Sequence, residues 1–314
     1  MKFGFGVDVG GTTVKLAYFD ETGNLLDKWE IPTVTEDNGS KILPDIAASV
    51  ENYIQKNQLD RSSIIGIGLG VPGPVSRQGV VNRCINLGWG VFNVEQALSQ
   101  LTGMPVKAGN DANVAALGEC WKGGGMGYST MVMATLGTGV GGGVVIDGKI
   151  LYGAHGSGGE IGHIVLKKEE SNACGCGKYG CVEQYCSATG IVNTAKRHMN
   201  CSTIPSSLRS ISQLTCKDIF DAAAAGDALA KEILEIVYDH LAEFISDVCC
   251  VIDPEIVVIG GGVSKAGDVL IEGFRPYIHR YIFHACSGVE FALAKLGNDA
   301  GAYGAFKLVL DSCS

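Results

Sequence analysis

Residues 3–26, FGFGVDVGGTTVKLAYFDETGNLL, decide the fold. A strand of apolar residues runs into Gly10-Gly11, a second strand follows, and the D-x-x-G turn from Asp20 to Gly23 leads into a third. The stretch therefore reads as a β-meander and not as a helix. The pattern returns in residues 129–151, STMVMATLGTGVGGGVVIDGKIL, with glycines and a threonine after the first strand and a turn at Asp147-Gly148. Two such units, one opening each half, predict an internally duplicated α/β architecture with a cleft between two lobes.

Outward from these units the punctuation is regular. Lys41 to Asn57 reads as an amphipathic helix, IIGIGLGVPGPV (64–75) as a buried strand ending in a turn, and VEQALSQLTG (94–103) as a helix stopped by Gly103. In PVKAGNDANVAALGECW (105–121) a strand stops at Gly109-Asn110-Asp111 and a helix begins, so Asp111 falls near a helix N-terminus at a strand edge. Later, Cys186 to Met199 and Ala228 to Asp253 read as helices, and EIVVIGGGVS (255–264) as a buried strand with a further helix after it. An Asn298-Asp299 cap introduces a last helix, AGAYGAFKLVL (300–310), whose small residues permit close packing.

Composition narrows the function. At 314 residues the chain is long enough for two domains with separate cores. No stretch approaches the roughly 18 uninterrupted apolar residues of a membrane span, and the start, MKFGFGVDVGG, has no apolar leader, so the expectation is a cytoplasmic protein without a membrane partner. A formal net charge of −9 and the lack of a basic run argue against nucleic acid as a partner. Most of the 12 cysteines are scattered, with Cys249 and Cys250 adjacent in an apolar helix, which suits reduced thiols better than a disulfide framework.

Four of the metal-type residues are not scattered. His163, Cys174, Cys176 and Cys181 form an H-x10-C-x-C-x4-C cluster, and Glu160 and Glu183 stand just outside its ends. Three thiolates and an imidazole make a closed tetrahedral set suited to Zn²⁺ with no position left for a metal-bound water, so the metal is expected to be structural. Fixing the ligands would also aim the two flanking carboxylates, and acidic groups held in one pocket can grip a polyhydroxylated substrate. The blander alternative is core thiols and a stray histidine, but short cysteine spacings among glycines chelate better than they pack.

The other glycine blocks point to phosphate. Asp8 ends an apolar strand beside Gly10, Gly11, Thr12 and Thr13, an arrangement in which backbone N–H groups and hydroxyls touch phosphate while the carboxylate orients Mg²⁺ through water. Alone it could equally be a β-turn with a side-chain bond to its own backbone. Gly137, Thr138 and Gly139 repeat the same small donors, and Gly260 to Gly262 make a third turn against which an adenine could lie, or which simply joins strand to helix. No G-x-x-x-x-G-K-[ST] occurs, and no G-x-G-x-x-G follows the first strand, so P-loop and dinucleotide readings lose support. For acid–base work Asp111 is the candidate: a carboxylate that accepts a hydroxyl proton as the bond to phosphorus forms contributes about 10² to 10⁴ in rate. Asn110 beside it could orient the substrate, and either residue could instead cap the helix. His155, in a glycine-rich loop, is given no role.

VDVGGTT (7–13), GVPGPV (70–75), NLGW (86–89), GNDAN (109–113), LGTGVGGG (136–143), EIGH (160–163) and CGCGKYGCVE (174–183) together resemble the repressor, open reading frame, kinase (ROK) family of sugar kinases, in the family's order and over nearly the full chain. The resemblance implies a two-lobed actin-like, ribonuclease H-like (ASKHA) α/β fold with an interdomain cleft, ATP and Mg²⁺, phosphorylation of a hexose at its 6-hydroxyl, and a structural zinc. It makes Asp111 the catalytic base and Gly73, Asn110, Asp111, Glu160, His163 and Glu183 sugar contacts, His163 serving zinc through its other ring nitrogen. Asp8, Gly10, Gly11, Thr12, Thr13, Gly137, Thr138, Gly139, Gly261 and Gly262 are the expected ATP and Mg²⁺ contacts. The expected division is an N-terminal lobe, 1–118, with the last helix, about 298–314, packing back on it, and a C-terminal lobe, 119–297, carrying the zinc site. CVEQYCSATGI (181–191) looks most like the family's bacterial glucokinases, which puts glucose first, and the family's habit implies a homo-oligomer, dimer or tetramer. The competing readings are a kinase for N-acetylmannosamine, N-acetylglucosamine, fructose or allose, a non-catalytic sugar sensor, and a zinc hydrolase that the filled coordination sphere disfavours. The run Gly123 to Gly127 and the cysteine-rich tail stay unassigned.

Overall fold

The structure is a computed structural model that describes residues 1–313. The chain opens with β1 (Phe3–Val9), β2 (Thr13–Asp20) and β3 (Leu25–Pro32), then a single turn α1 (Glu36–Gly39), α2 (Ile42–Lys56), β4 (Ile64–Val71), and a hairpin of β5 (Val80–Cys84) and β6 (Trp89–Asn93). α3 (Val94–Thr102), β7 (Val106–Asn110) and α4 (Asp111–Lys122) follow. The second half brings β8 (Met131–Leu136), β9 (Val140–Ile146), β10 (Lys149–Ile150), α5 (Glu183–Cys186), α6 (Ala188–Cys201), α7 (Cys216–Ala224), α8 (Ala228–Ile252), β11 (Ile256–Gly260), α9 (Asp268–Ile278), β12 (Glu290–Leu293) and α10 (Ala300–Ser312).

Among the described residues two five-stranded sheets share one plan. Their orders, β3-β2-β1-β4-β7 and β10-β9-β8-β11-β12, are each third, second, first, fourth, fifth in order of appearance. β1–β2–β3 is the expected antiparallel meander, and β4 and β7 join it in parallel; β8, β11 and β12 are likewise parallel. This is the duplicated ribonuclease H-like arrangement. The chain forms two compact units: residues 1–129, 143–159 and 295–314 make unit 1, and 130–142 with 160–294 make unit 2. Residues 119–129 and 143–159, which the expected boundaries assign to the C-terminal lobe, belong to unit 1.

The period-two pattern of β1 and β4 explains unit 1. Phe5, Val7 and Val9, with Ile67, Leu69 and Val71, pack into one core with Ile46 and Val50 of α2. Apart from Asp8 the alternate positions are glycines, and their bare face admits α10 at backbone distance. A Cβ at Gly68 would collide with the Ala305 carbonyl of α10, and one at Gly304 with the Val114 carbonyl of α4. Phe19 and Phe306 stack at 5.0 Å and 8° beside this seam. Asp299 precedes α10 but does not cap it through its side chain, as the sequence suggested; its carboxylate pairs with Lys28 at 2.8 Å.

One buried carboxylate ties the distant parts of unit 1 together. Glu119, on α4, is 0% exposed. Its Oε2 accepts the N–H groups of Gly124 (2.7 Å) and Lys295 (2.9 Å), and its Oε1 that of Leu296 (2.8 Å). The glycine run therefore has a local reason: the backbone must fold back over Glu119, and a Cβ at Gly123 would strike that side chain. In unit 2, α8 is the long buried helix, and α7, which the sequence reading passed over, starts from a Thr215–Asp218 capping box.

Candidate active site

In unit 1 the register of the parallel strands pairs Asp8 with Gly70, Gly70 with Gly109 and Val71 with Asn110. Asp8, Asn110 and Asp111 therefore leave the sheet at its carboxyl edge, where open α/β sheets hold ligands. Asn110 caps α4: its Oδ1 accepts the N–H groups of Ala112 (3.0 Å) and Asn113 (3.2 Å). Its Nδ2 donates to the Gly73 carbonyl (3.1 Å) and to Asp111 Oδ1 (2.9 Å). The Ala112 N–H reaches the same Asp111 oxygen at 2.8 Å, so two donors fix the plane of this carboxylate. Gly73 stands at φ 88°, a conformation that needs glycine, and this turns its carbonyl onto Asn110.

Asp8 is the second carboxylate of this edge. Burial pushes it up to about 6; Lys15 pulls it down, and Asp111 pushes it further up. Lys15 faces it across the β1–β2 register, and its Nζ donates to the Asn298 carbonyl at 3.3 Å. A Cβ at Gly301 would lie 2.6 Å from Asp8 Cγ, so the glycine of α10 makes room for the carboxyl. A half-compensated carboxylate of this kind fits an outer contact to a divalent cation. Next to it, Gly10 N–H bonds Thr13 O (3.0 Å), and Thr33 holds the turn by its N–H to Thr12 O (3.0 Å) and its hydroxyl to Gly10 O (2.8 Å). Gly11 and Thr12 stay exposed at the tip.

Unit 2 holds the second turn and the metal-type cluster. Gly137 N–H closes on Gly139 O (2.9 Å), and Gly137 O accepts the Ala188 N–H at the start of α6 (2.8 Å). Gly261, at φ 84°, packs against the backbone of Leu136, while a side chain at Gly262 would meet nothing within 4 Å. Glu183 joins turn to cluster: Oε2 accepts the Val140 N–H at 3.1 Å, and Oε1 is 3.5 Å from Cys174 Sγ. A Cβ at Gly139 would collide with Glu183 Oε2.

The ligand atoms of His163, Cys174, Cys176 and Cys181 all lie within 4.8 Å of one another. Cys176 and Cys181 sulfurs are 3.7 Å apart, close to the edge of about 3.8 Å for a tetrahedron with Zn–S bonds near 2.3 Å. His163 turns Nδ1 toward Cys174 Sγ (3.9 Å) and leaves Nε2 facing Glu160, 4.0 Å away. Burial pushes the Cys181 thiol up to about 12 and raises Cys174, while the Lys178 N–H lowers Cys176. Three crowded sulfurs cannot all ionise without a cation among them, and zinc fits this donor set.

Two groups, one in each unit, carry no short sequence signal. Glu170 accepts from the Tyr185 hydroxyl (2.7 Å), the Asn172 N–H (3.0 Å) and Arg197 (2.7 Å), which together hold it down at about 2 and pin the cysteine loop to α5 and α6. Lys15, likewise, is legible as the partner of Asp8 only once the strand register is known. His155 is exposed. Among the described residues no cysteine is in a disulfide, and no helix is long and apolar enough to cross a membrane.

The chain is 43% identical over 310 residues to the glucokinase of Halalkalibacterium halodurans, covering 97% of this chain and 94% of that protein. It is 35% identical over 310 residues to the glucokinase of Thermotoga maritima, covering 97% and 96%. Among solved structures, the ROK family glucokinase from Streptomyces griseus in complex with glucose and AMPPNP superposes with a TM-score of 0.74 at 30% identity, covering 98% of each chain. The model of the ROK family matches residues 4–312. Together with the duplicated sheets and the GNDAN and His-Cys₃ blocks, this establishes that the chain belongs to the ROK family.

Proposed function

We propose that this chain is an ATP-dependent glucokinase that phosphorylates glucose at the 6-hydroxyl. The observation that carries the reading is Asp111: a carboxylate oriented by the Ala112 N–H and the Asn110 amide, at the carboxyl edge of the sheet and coupled to Asp8. A base in that position accepts the hydroxyl proton as the oxygen attacks the γ-phosphorus and ADP leaves. A sugar sensor would need no base there. Glucose comes first because both relatives named above are glucokinases, aligned over almost their whole length.

Gly73, Asn110, Glu160, His163 and Glu183 contact the hexose in this reading, and the turns at Gly10 to Thr13, Gly137 to Gly139 and Gly261-Gly262 receive the nucleotide. Mg²⁺ bound with the triphosphate would neutralise its developing charge, with Asp8 as an outer partner. Zinc braces the loop that carries His163, leaving Nε2 for the sugar. The protein works in the cytoplasm as a dimer or tetramer, which light scattering on the purified chain would read. Replacing Asp111 by Asn should lower turnover about 10² to 10⁴-fold while glucose still binds by calorimetry. A variant that keeps most of its ADP release refutes Asp111 as base, and a hexose panel on the wild-type chain tests glucose.

A further inference from the structure

Apart from the ligands around His163, three cysteines of unit 2 converge on one point. Cys249 and Cys250 stand in the last turn of α8, and Cys286 stands in the segment that joins α9 to β12. The Cys286 sulfur donates to the Cys249 carbonyl at 3.6 Å, so it faces the end of α8 within one peptide unit of Cys250. The same oxygen accepts the Asp253 N–H at 2.8 Å, because Asp253 closes the helix at φ 51° and folds the chain back on its last turn. The Asp253 carboxylate and the Cys250 thiol are the side-chain partners of the Cys286 thiol.

Access separates the three thiols. Cys250 is exposed, beside Val251 at 80% exposure, whereas Cys249 and Cys286 are buried. Burial first, and then Asp253 and Cys250, push Cys286 up; burial, Cys286, Cys250 and Asp253 push Cys249 up to about 12. An exposed thiol meets a dissolved oxidant, while a shielded one answers only a neighbour.

We propose that Cys250 and Cys286 are a redox modification site: a peroxide oxidises Cys250, and Cys286 resolves it as a reversible disulfide. The Cys250 thiolate attacks one peroxide oxygen, the O–O bond breaks, and hydroxide leaves, which gives a sulfenic acid. The Cys286 sulfur then attacks the Cys250 sulfur as its proton passes to Asp253; the S–OH bond breaks, and the oxygen takes up that proton and leaves as water. Two thiols have lost two electrons and two protons, and one peroxide has become two waters. Thiol–disulfide exchange with a dithiol reverses the bond. The bridge ties the end of α8 to the approach to β12. β11 and β12 run parallel from the Ile256–Glu290 pair, so it lies at their starting edge, about 13 Å along the strand from Gly260. It therefore staples unit 2 without touching Gly260 to Gly262.

The test treats the zinc-loaded chain with hydrogen peroxide, then alkylates it and digests it with trypsin in the absence of reductant. Mass spectrometry should find peptide 232–265 joined to peptide 281–295, lighter by two hydrogens than the pair, and dithiothreitol should release both. Because 232–265 carries Cys249 as well as Cys250, the variant Cys250→Ser, at an exposed position, decides the partner: the link should vanish. Cys286→Ser should leave Cys250 as a sulfenic acid that dimedone traps. By circular dichroism the oxidised chain should unfold at a higher urea concentration than the reduced one. A link that survives in Cys250→Ser, a link between two chains on a non-reducing gel, both thiols still open to alkylation after peroxide, or an unchanged urea midpoint each overturns the proposal.

Discussion

Glu119 offers the sharpest test of how unit 1 is held. Its carboxylate accepts three backbone N–H groups, from Gly124, Lys295 and Leu296, in a site closed to solvent. Glu119→Ala removes all three acceptors at once. An orphaned buried donor costs about 1–3 kcal/mol, so three would cost roughly 3–9 kcal/mol, reduced by any water that enters the vacated space. A loss of about 3–6 kcal/mol is a large share of the 5–15 kcal/mol typical of a folded domain. Glu119→Gln keeps the shape but turns one acceptor into a donor; with its carbonyl toward Gly124 and Lys295, it leaves one N–H facing an NH₂ and should cost about 2 kcal/mol. The assay is favourable because all three tryptophans, Trp29, Trp89 and Trp121, lie in unit 1. Urea titration followed by tryptophan fluorescence therefore reports this unit, and the midpoint should fall in the order wild type, Gln, Ala. A shift below about 1 kcal/mol for Glu119→Ala would refute the clamp, since it would mean those N–H groups lose nothing by losing Glu119.

Other expectations follow from the geometry within each unit. Asp8 has a folded pKa near 6 against an ordinary value of 3.8, so the folded state binds the extra proton between those values; its contribution to stability is present below about pH 4 and is lost as pH rises through 6. Asp8→Asn should therefore stabilise the chain by up to about 3 kcal/mol at pH 8 and hardly at all at pH 4, while KM for Mg-ATP rises; urea titrations at the two pH values check it, and destabilisation at pH 8 would be the opposite outcome. Gly139→Ala drives a methyl into Glu183 Oε2, so activity should drop at least about tenfold with little change in overall secondary structure by circular dichroism; full activity would contradict the tight approach. Zinc binding must displace protons from thiols that burial raises, so metal affinity should weaken as pH falls, and chelation should expose residues 160–182 to proteolysis. One zinc per chain in the purified protein, and less in Cys176→Ser, are the corresponding measurements.

Much of this was legible in the order of residues, for a physical reason. The meander and its repeat are local patterns of period two, so FGFGVDV and GIGLGV announce the strands, and the small residues of 300–310 announce a closely packed helix, but not that these two surfaces meet. The metal-type cluster is legible because its last three ligands lie within eight residues and thiol chemistry narrows their use. Glu119 was hidden: its partners are main-chain N–H groups, which every position but proline carries, and two of them lie 176 and 177 residues away. Separation in sequence also hid the pairing of Asp299 with Lys28, 271 residues apart, in place of a helix cap, and over a shorter 27 residues the Glu170–Arg197 pair. α7 escaped because a nine-residue helix gives little periodicity to read.

The seam between α10 and the glycine faces of β1 and β4 also orders events in time. A ribosome completes the strands of the first sheet at residue 110 but makes the helix that seals it only at residues 300–312. Until then the glycine positions that α10 meets, Gly6 and Gly68, have no helix over them, so a nascent chain must keep its earliest strands from straying while unit 2 is still being synthesised. Shortening this sequence from its far end would thus harm the part that was translated first.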